Sequence, residues 1–286
     1  MNTIKPYCLK SPDFIGVMWL LSGFLIFCLV AVLIRRQFVA REFNHEVTEL
    51  FALPDGLSHQ AFSYNQLADL PKPVQEYFRH VLKEGEPYIN YVRLKHNGQF
   101  KTGIHKKWVD IKGEQYFTVK KPGFIWKGTT RLFTARDMYI SDKGRLVVSL
   151  FSLYNIVNAK GKKFNQGELL RWLAESVWFP TNLLPSEHLK WQPIDRHTAR
   201  LLFSYQGMSL TYIVSFQNGE IIQVQTTRYM GVKKLETWIG KLGAYQKING
   251  IMVPTKIEAI WRLAKGDFSY AKFNVLRIDY DLPKKF

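Results

Sequence analysis

The sequence predicts an α+β protein in which one long apolar helix precedes an antiparallel, strand-rich domain. Three observations carry that reading. Residues 14–34 form an apolar run with no charged side chain and no proline. From Tyr88 onward apolar residues recur with a period of two, in short runs separated by turn pairs. Helical periodicity returns only in isolated segments, so strands follow strands instead of alternating with helices as in a βαβ repeat.

The apolar run matches the roughly 20 helical residues that cross a bilayer's hydrocarbon core. It exceeds the apolar core of a signal peptide, about 7–15 residues, and ends in Arg35-Arg36-Gln37-Phe38, a poor cleavage site. Cys28 follows the bulky Phe27, where lipoprotein processing needs a small residue. These features predict an N-terminal tail (1–13) and an uncleaved transmembrane anchor (14–34) in a single-pass protein of the cell (inner) membrane. Lys5 and Lys10 before the run nearly balance Arg35, Arg36 and Arg41 after it. The Arg35-Arg36 pair favours a cytoplasmic domain and a short lysine-bearing tail held inside favours an exported one; the extracytoplasmic side is the expected one.

Phe38, Phe43, Val47, Leu50 and Phe51 recur at helical spacing and predict an amphipathic linker helix within 35–56, stopped by Pro54-Asp55-Gly56. A β-rich soluble domain fills 57–286. Its first helix follows Asp69-Leu70-Pro71, with Pro73 in the first turn, an apolar stripe of Val74, Tyr77, Phe78, Val81 and Leu82, and Gly85 as the stop. Strands are expected at 88–95, 103–109, 115–120, 124–129, 131–140 and 145–152. Asn97-Gly98, Lys112-Gly113, Pro122-Gly123 and Asp142-Lys143-Gly144 read as the turns between them. A helix over 167–179 aligns Leu169, Leu170, Leu173, Ala174 and Val177 before Pro180. Strands resume at 197–205, 209–216 and 221–229, the last two joined by Asn218-Gly219. A loop holding Trp238 leads to strands at 244–248, 252–262 and 268–279, with Asn249-Gly250 as a further turn.

Hydrophobic residues make up 47% and aromatics 15% of the 286 residues, enough for a substantial core and too many for a disordered chain. Cys8 and Cys28 fall in the tail and anchor, so the domain has no disulfide, thiolate nucleophile or cysteine-based zinc site. The net charge of +17 is spread over lysine pairs such as Lys106-Lys107, Lys120-Lys121, Lys162-Lys163, Lys233-Lys234 and Lys284-Lys285. No Arg-rich helix or RNA-recognition strand motif concentrates it, so acidic membrane lipid is the expected partner and nucleic acid is not.

No phosphate-binding loop, dinucleotide turn, serine elbow or zinc-protease motif occurs. The seven histidines stand singly, and His188 beside Glu187 reads as an exposed loop residue. No catalytic residue, metal or cofactor is assigned. The candidate site is a ligand-binding one. Glu168, Arg171 and Glu175 stack at helical spacing, either as an ionic cluster at a pocket rim or as a surface salt-bridge ladder. Glu258 sits in an apolar strand beside Trp261, facing solvent or paired inside. Six tryptophans, Trp108, Trp126, Trp178, Trp191, Trp238 and Trp261, fall in the strand-rich part. One reading is core filling. The sharper one is a concave sheet lining an apolar cavity under a helical lid, with Phe124, Trp126, Trp178, Trp238 and Trp261 as walls.

The strings from Leu70-Pro71-Lys72-Pro73 to Val81-Leu82, Pro122-Gly123-Phe124-Ile125-Trp126, Gly167 to Glu175, Trp178-Phe179-Pro180-Thr181 and Glu258-Ala259-Ile260-Trp261 resemble a bacterial family of domains of unknown function, DUF6544/DUF6920-like. The resemblance runs from Leu70 to Tyr280. Trp172 stands where a tyrosine is expected and Asn182 where an alanine is. It implies a large curved antiparallel sheet with a few covering helices, a half-barrel like that of lipoprotein carriers. The expected function is a membrane-tethered, non-enzymatic domain that binds a lipid or other hydrophobic ligand. Two alternatives are a hydrolase using Glu168 or Glu175 with Glu258, and an envelope-assembly module whose partner is another membrane protein.

Overall fold

The computed structural model describes residues 14–52, 57–151, 153–231 and 234–286. The tail with Cys8, the Pro54-Asp55-Gly56 stop and Lys233 lie outside the described residues. The chain divides into two compact units, one up to Phe43 and one from Asn44 on.

Helix α1 spans Phe14–Ala52. In the first unit many of its large apolar side chains, among them Trp19, Leu25 and Phe27, are exposed. From Gly16 on, the helix is long and apolar enough to cross a membrane, a length and composition that fit an anchor and a signal sequence alike. Phe38, part of the predicted stripe, is also exposed.

In the second unit the last turns of α1 are core. Val47 and Leu50 are buried, Glu46 pairs with Arg136 at 2.6 Å, and the Phe51 ring meets Tyr91 and Tyr116 edge-on. Helix α2, Lys72–Val81, carries proline in its first turn and buries the face made by Val74, Tyr77, Phe78 and Val81.

Thirteen strands then build one open antiparallel sheet. The first meander is β1 (Tyr91–Phe100), β2 (Val109–Thr118), β3 (Gly123–Thr129), β4 (Phe133–Ile140), β5 (Lys143–Leu150) and β6 (Tyr154–Lys160). Helix α3 (Lys162–Glu175) and two short 3-10 turns follow. The second meander is β7 (Leu189–Pro193), β8 (Thr198–Tyr205), β9 (Met208–Gln217), β10 (Glu220–Met230), β11 (Lys234–Ile248), β12 (Ile251–Leu263) and β13 (Gly266–Tyr280). Pairing of β1 with β13 joins the two meanders, which leaves β6 and β7 as the outer edges.

This topology forces curvature. At about 4.8 Å per strand step, a flat sheet of this order would separate β6 from β7 by roughly 58 Å. A single helix, about 10–12 Å across with its side chains, nevertheless packs against β3, β4, β5 and β6 on one side and β10 on the other. The sheet therefore curls around α3 as an open half-barrel.

Several expected turns and strands differ. Asn97-Gly98 is no hairpin but lies inside β1, paired with β2 and β13. Gly98 has φ of 154°, and a Cβ there would lie 2.0 Å from the Lys272 carbonyl oxygen, so its glycine serves close strand approach. Lys112-Gly113 is likewise interior to β2. Residues 103–109 form a loop up to the start of β2, with Ile104 exposed. Trp238 sits in β11 and not in a loop. Strands β6 and β7 are additions: β6 is an edge whose residues are nearly all exposed, so no buried face imprints a period of two, and β7 is five residues long. Helix α3 begins at Lys162, a turn before its apolar stripe.

Candidate functional site

Register builds the site. Gln115 on β2, Trp126 on β3 and Asp137 on β4 are successive cross-strand partners, so one row of the inner face carries an amide, an indole and a carboxylate. Helix α3 lies over that row with Arg171 and Glu175 four residues apart on its facing side. Arg171 donates through Nε to Glu175 at 2.9 Å and through Nη1 to Asp137 at 2.6 Å. Its guanidinium also lies over the rings of Phe124 and Trp126, at 5.0 and 5.1 Å. The second Glu175 oxygen accepts from Gln115 Nε2 at 2.6 Å. Burial opposes the arginine's charge, but Glu175 and Asp137 more than offset it.

On the opposite side of α3, Arg228 of β10 approaches Glu168, with Nη2 to Oε1 at 3.7 Å. Gly167 makes room, since a Cβ there would stand 3.0 Å from that Nη2. The guanidinium lies 5.8 Å from the ring centroids of both Trp238 and Trp261. Glu168 is 4% exposed. Burial first, then the neighbouring Asp137 carboxylate, pushes it well above the usual carboxylate range, and Arg228 and Arg171 oppose the shift.

A third group stands beside these. Trp126 Nε1 donates to His96 Nε2 at 2.8 Å, and the two rings are nearly parallel, with Phe273 4.3 Å from the imidazole. Gly113, the cross-strand partner of His96, carries no Cβ that would strike the imidazole, which explains the glycine inside β2.

Between helix and sheet lies a cavity of about 540 Å³, walled by side chains of β1–β6, α3 and β10–β13. Its lining is chiefly aliphatic and aromatic; Asp137, Arg171, Glu175 and Arg228 are its charged members. Of the residues singled out in the sequence, Trp126, Arg171, Glu175, Trp178 and Trp238 line it. Trp178 and Trp238 are fixed by indole hydrogen bonds to the Pro254 carbonyl and the Tyr270 hydroxyl. Phe124, Glu168 and Trp261 are buried behind the wall against Arg171 or Arg228.

Two expectations are corrected. The Glu168, Arg171 and Glu175 cluster belongs to the interior and not to a rim, because α3 is enclosed by the curled sheet; the Arg171 and Glu175 side chains are only 15% and 18% exposed. Glu258 is not in the site. Its neighbours Ile257 and Ala259 line the cavity, so strand alternation sends Glu258 to the other face. There it accepts from Ser269 at 2.6 Å and meets Lys272 at 3.4 Å.

Sequence reading missed Gln115, Asp137, Arg228, Tyr270 and His96. Each falls in a strand, and the available signal was a polar residue at an inward position of an alternating run. Among the described residues no group of three or more His, Cys, Asp or Glu is placed to hold a metal ion.

A curled antiparallel sheet closed by an internal helix over an apolar cavity defines the class, an open half-barrel with a built-in pocket. The chain belongs to the family of unknown function DUF6544, which matches residues 60–273. No curated protein matches it. Among solved structures it is similar to a LolA superfamily protein from Nitrosomonas europaea, at 12% identity and a TM-score of 0.42 over 72% of this chain and 91% of that one. It is also similar to a putative outer membrane lipoprotein-sorting protein domain from Vibrio parahaemolyticus, at 10% identity and a TM-score of 0.36 over 67% of this chain and 86% of that one.

Proposed function

We propose that this chain is a membrane-tethered domain that binds a lipid or other hydrophobic molecule in the cavity under α3 without chemically transforming it. The observation that carries the reading is the cavity itself. Its volume of about 540 Å³ falls within the roughly 300–1,000 Å³ of small-molecule pockets, and its wall is apolar except on one side. On that side Arg171 engages the carboxylates of Asp137 and Glu175. With Glu258 on the other face, the hydrolase alternative loses its second carboxylate.

In this reading residues 14–34 anchor the protein in the cell membrane, 35–56 link, and 57–286 bind ligand on the extracytoplasmic side. The net charge of +17 holds the domain near acidic lipid heads. Full-length protein, stripped of lipid and returned to nanodiscs, is expected to take up a fluorescent fatty acid at one site per chain. Filling the cavity with Ala259→Trp is expected to abolish uptake while the circular dichroism spectrum is kept. Stripped protein that never takes up such a probe would remove the proposal.

A further inference from the structure

We propose that Arg228 receives the head group of the bound molecule, so that the cavity selects amphiphiles ending in an anionic oxygen group, a carboxylate or a phosphate. This rests on the cavity being a ligand site and specifies what enters it.

Arg171 makes short bonds to both Asp137 and Glu175. Arg228 has no carboxylate so close. Its nearest carboxylate oxygen, on Glu168, is 3.7 Å away, inside ion-pair range but too far for a hydrogen bond. Its Nε is buried and has no hydrogen-bond partner among the described residues. A buried guanidinium left in that state is costly, yet its surroundings hold it in place. Gly167 admits it against the helix, and the faces of Trp238 and Trp261 lie near it. Arg228 and Trp238 both line the cavity.

Glu168 does not serve as the missing counter-ion. Asp137 is a neighbouring carboxyl, and one oxygen of each, Glu168 Oε2 and Asp137 Oδ1, is buried without a donor. Burial, and then the neighbouring Asp137, push the Glu168 carboxyl well above its usual range, which favours its neutral form. Of the five ionisable side chains of the site, Arg171 is bonded to Asp137 and Glu175, burial favours the neutral form of Glu168, and Arg228 has its nearest carboxylate oxygen at 3.7 Å. An anionic oxygen group entering the cavity completes that arrangement through the planar, two-pronged geometry that arginine offers. Its hydrocarbon lies along the apolar wall.

The test uses full-length protein in zwitterionic nanodiscs with a dansyl-labelled fatty acid and its methyl ester, which share a tail and differ in charge. The acid is expected to bind at least tenfold tighter than the ester. Arg228→Met is expected to bring the acid down to the ester's affinity with the ester unchanged, and Arg228→Lys to retain part of the preference. Dodecanoate and dodecyl phosphate as competitors separate the two head groups, and displacement by either supports the assignment. Equal binding of acid and ester by wild-type protein overturns it while leaving the cavity reading intact, a comparison that holds even where Arg228→Met fails to fold. Binding of neither probe overturns both.

Discussion

The indole nitrogen of Trp126 donates to Nε2 of His96 across 2.8 Å, a bond that the imidazole accepts only as a neutral ring protonated at Nδ1. Burial lowers the His96 pKa from 6.5 to about 4, opposed by the Asn97 backbone and helped by Arg171. The unfolded chain therefore takes up this proton first as pH falls. The contribution is fully present above pH 6.5 and is lost between 6.5 and about 4, by roughly 3 kcal/mol in total. Urea denaturation across that window is expected to show this loss in wild-type protein and its absence in His96→Gln. Parallel profiles would mean that the ring is charged in the folded state.

Gly113 faces the same imidazole. A Cβ at this position would stand 2.0 Å from His96 Nε2, and the ring is held by Trp126 and Phe273. Gly113→Ala is therefore expected to cost about 1–3 kcal/mol by overpacking, read as a lowered denaturation midpoint. In the double variant with His96→Ala the clash is gone, so the two effects are expected not to add. Additive losses would place the cause in the β2 backbone.

Burial raises the pKa of both glutamates of α3, but their replacement is expected to differ in cost. Arg171→Leu strips the cation from Asp137 and Glu175 together and is expected to cost about 3–5 kcal/mol. Glu168 has a raised pKa, through burial and then Asp137, so its contribution is fully present below the ordinary value of 4.5 and declines as pH rises through the folded value. Glu168→Gln keeps the neutral shape and has no proton to lose. Its stability relative to wild type is expected to rise with pH above 4.5, whereas Glu175→Gln, which weakens the Arg171 pair, is expected to be destabilising at neutral pH. A loss for Glu168→Gln that grows with pH would show that Glu168 is ionised in the fold.

Much of this architecture was legible because burial leaves a period in the sequence. The α2 stripe from Val74 to Val81 and the hairpin at Asn218-Gly219, where both residues adopt positive φ, follow from local rules alone. Arg171 and Glu175 were legible as a pair from their spacing. What the pair touches was not, because Gln115 and Asp137 reach them through the register of β2, β3 and β4, a relation that no stretch of sequence contains. Gly98 and Gly113 misled for a related reason. Beside Asn97 and Lys112 they carry a turn's signature, yet each serves a close approach from another strand. Strand β6 left no signal because an edge without a buried face has no alternation to display.

Under the proposed function, that edge is where a ligand is expected to enter. Ile156 of β6 lines the cavity and is also 60% exposed, so the wall and the outer surface meet at this residue. Tyr154, Val157, Leu132 and Phe151 are exposed nearby in the chain, and the Phe151 amide donates to the Leu132 carbonyl at 2.7 Å, which draws two of them together as an apolar lip. An apolar molecule leaving a bilayer meets less desolvation cost at such a lip than at a polar one. Ile156→Asn places an amide there without adding charge. Because the position is exposed, stability is expected to change by no more than about 0.5 kcal/mol, while stopped-flow uptake of a fluorescent fatty acid slows several-fold. Dissociation slows in parallel, since entry and exit share the route, and the equilibrium affinity changes little. An uptake rate equal to that of wild type would put the entrance elsewhere, with the partly exposed stretch of wall at Leu242 and Ile257 as the next position to substitute.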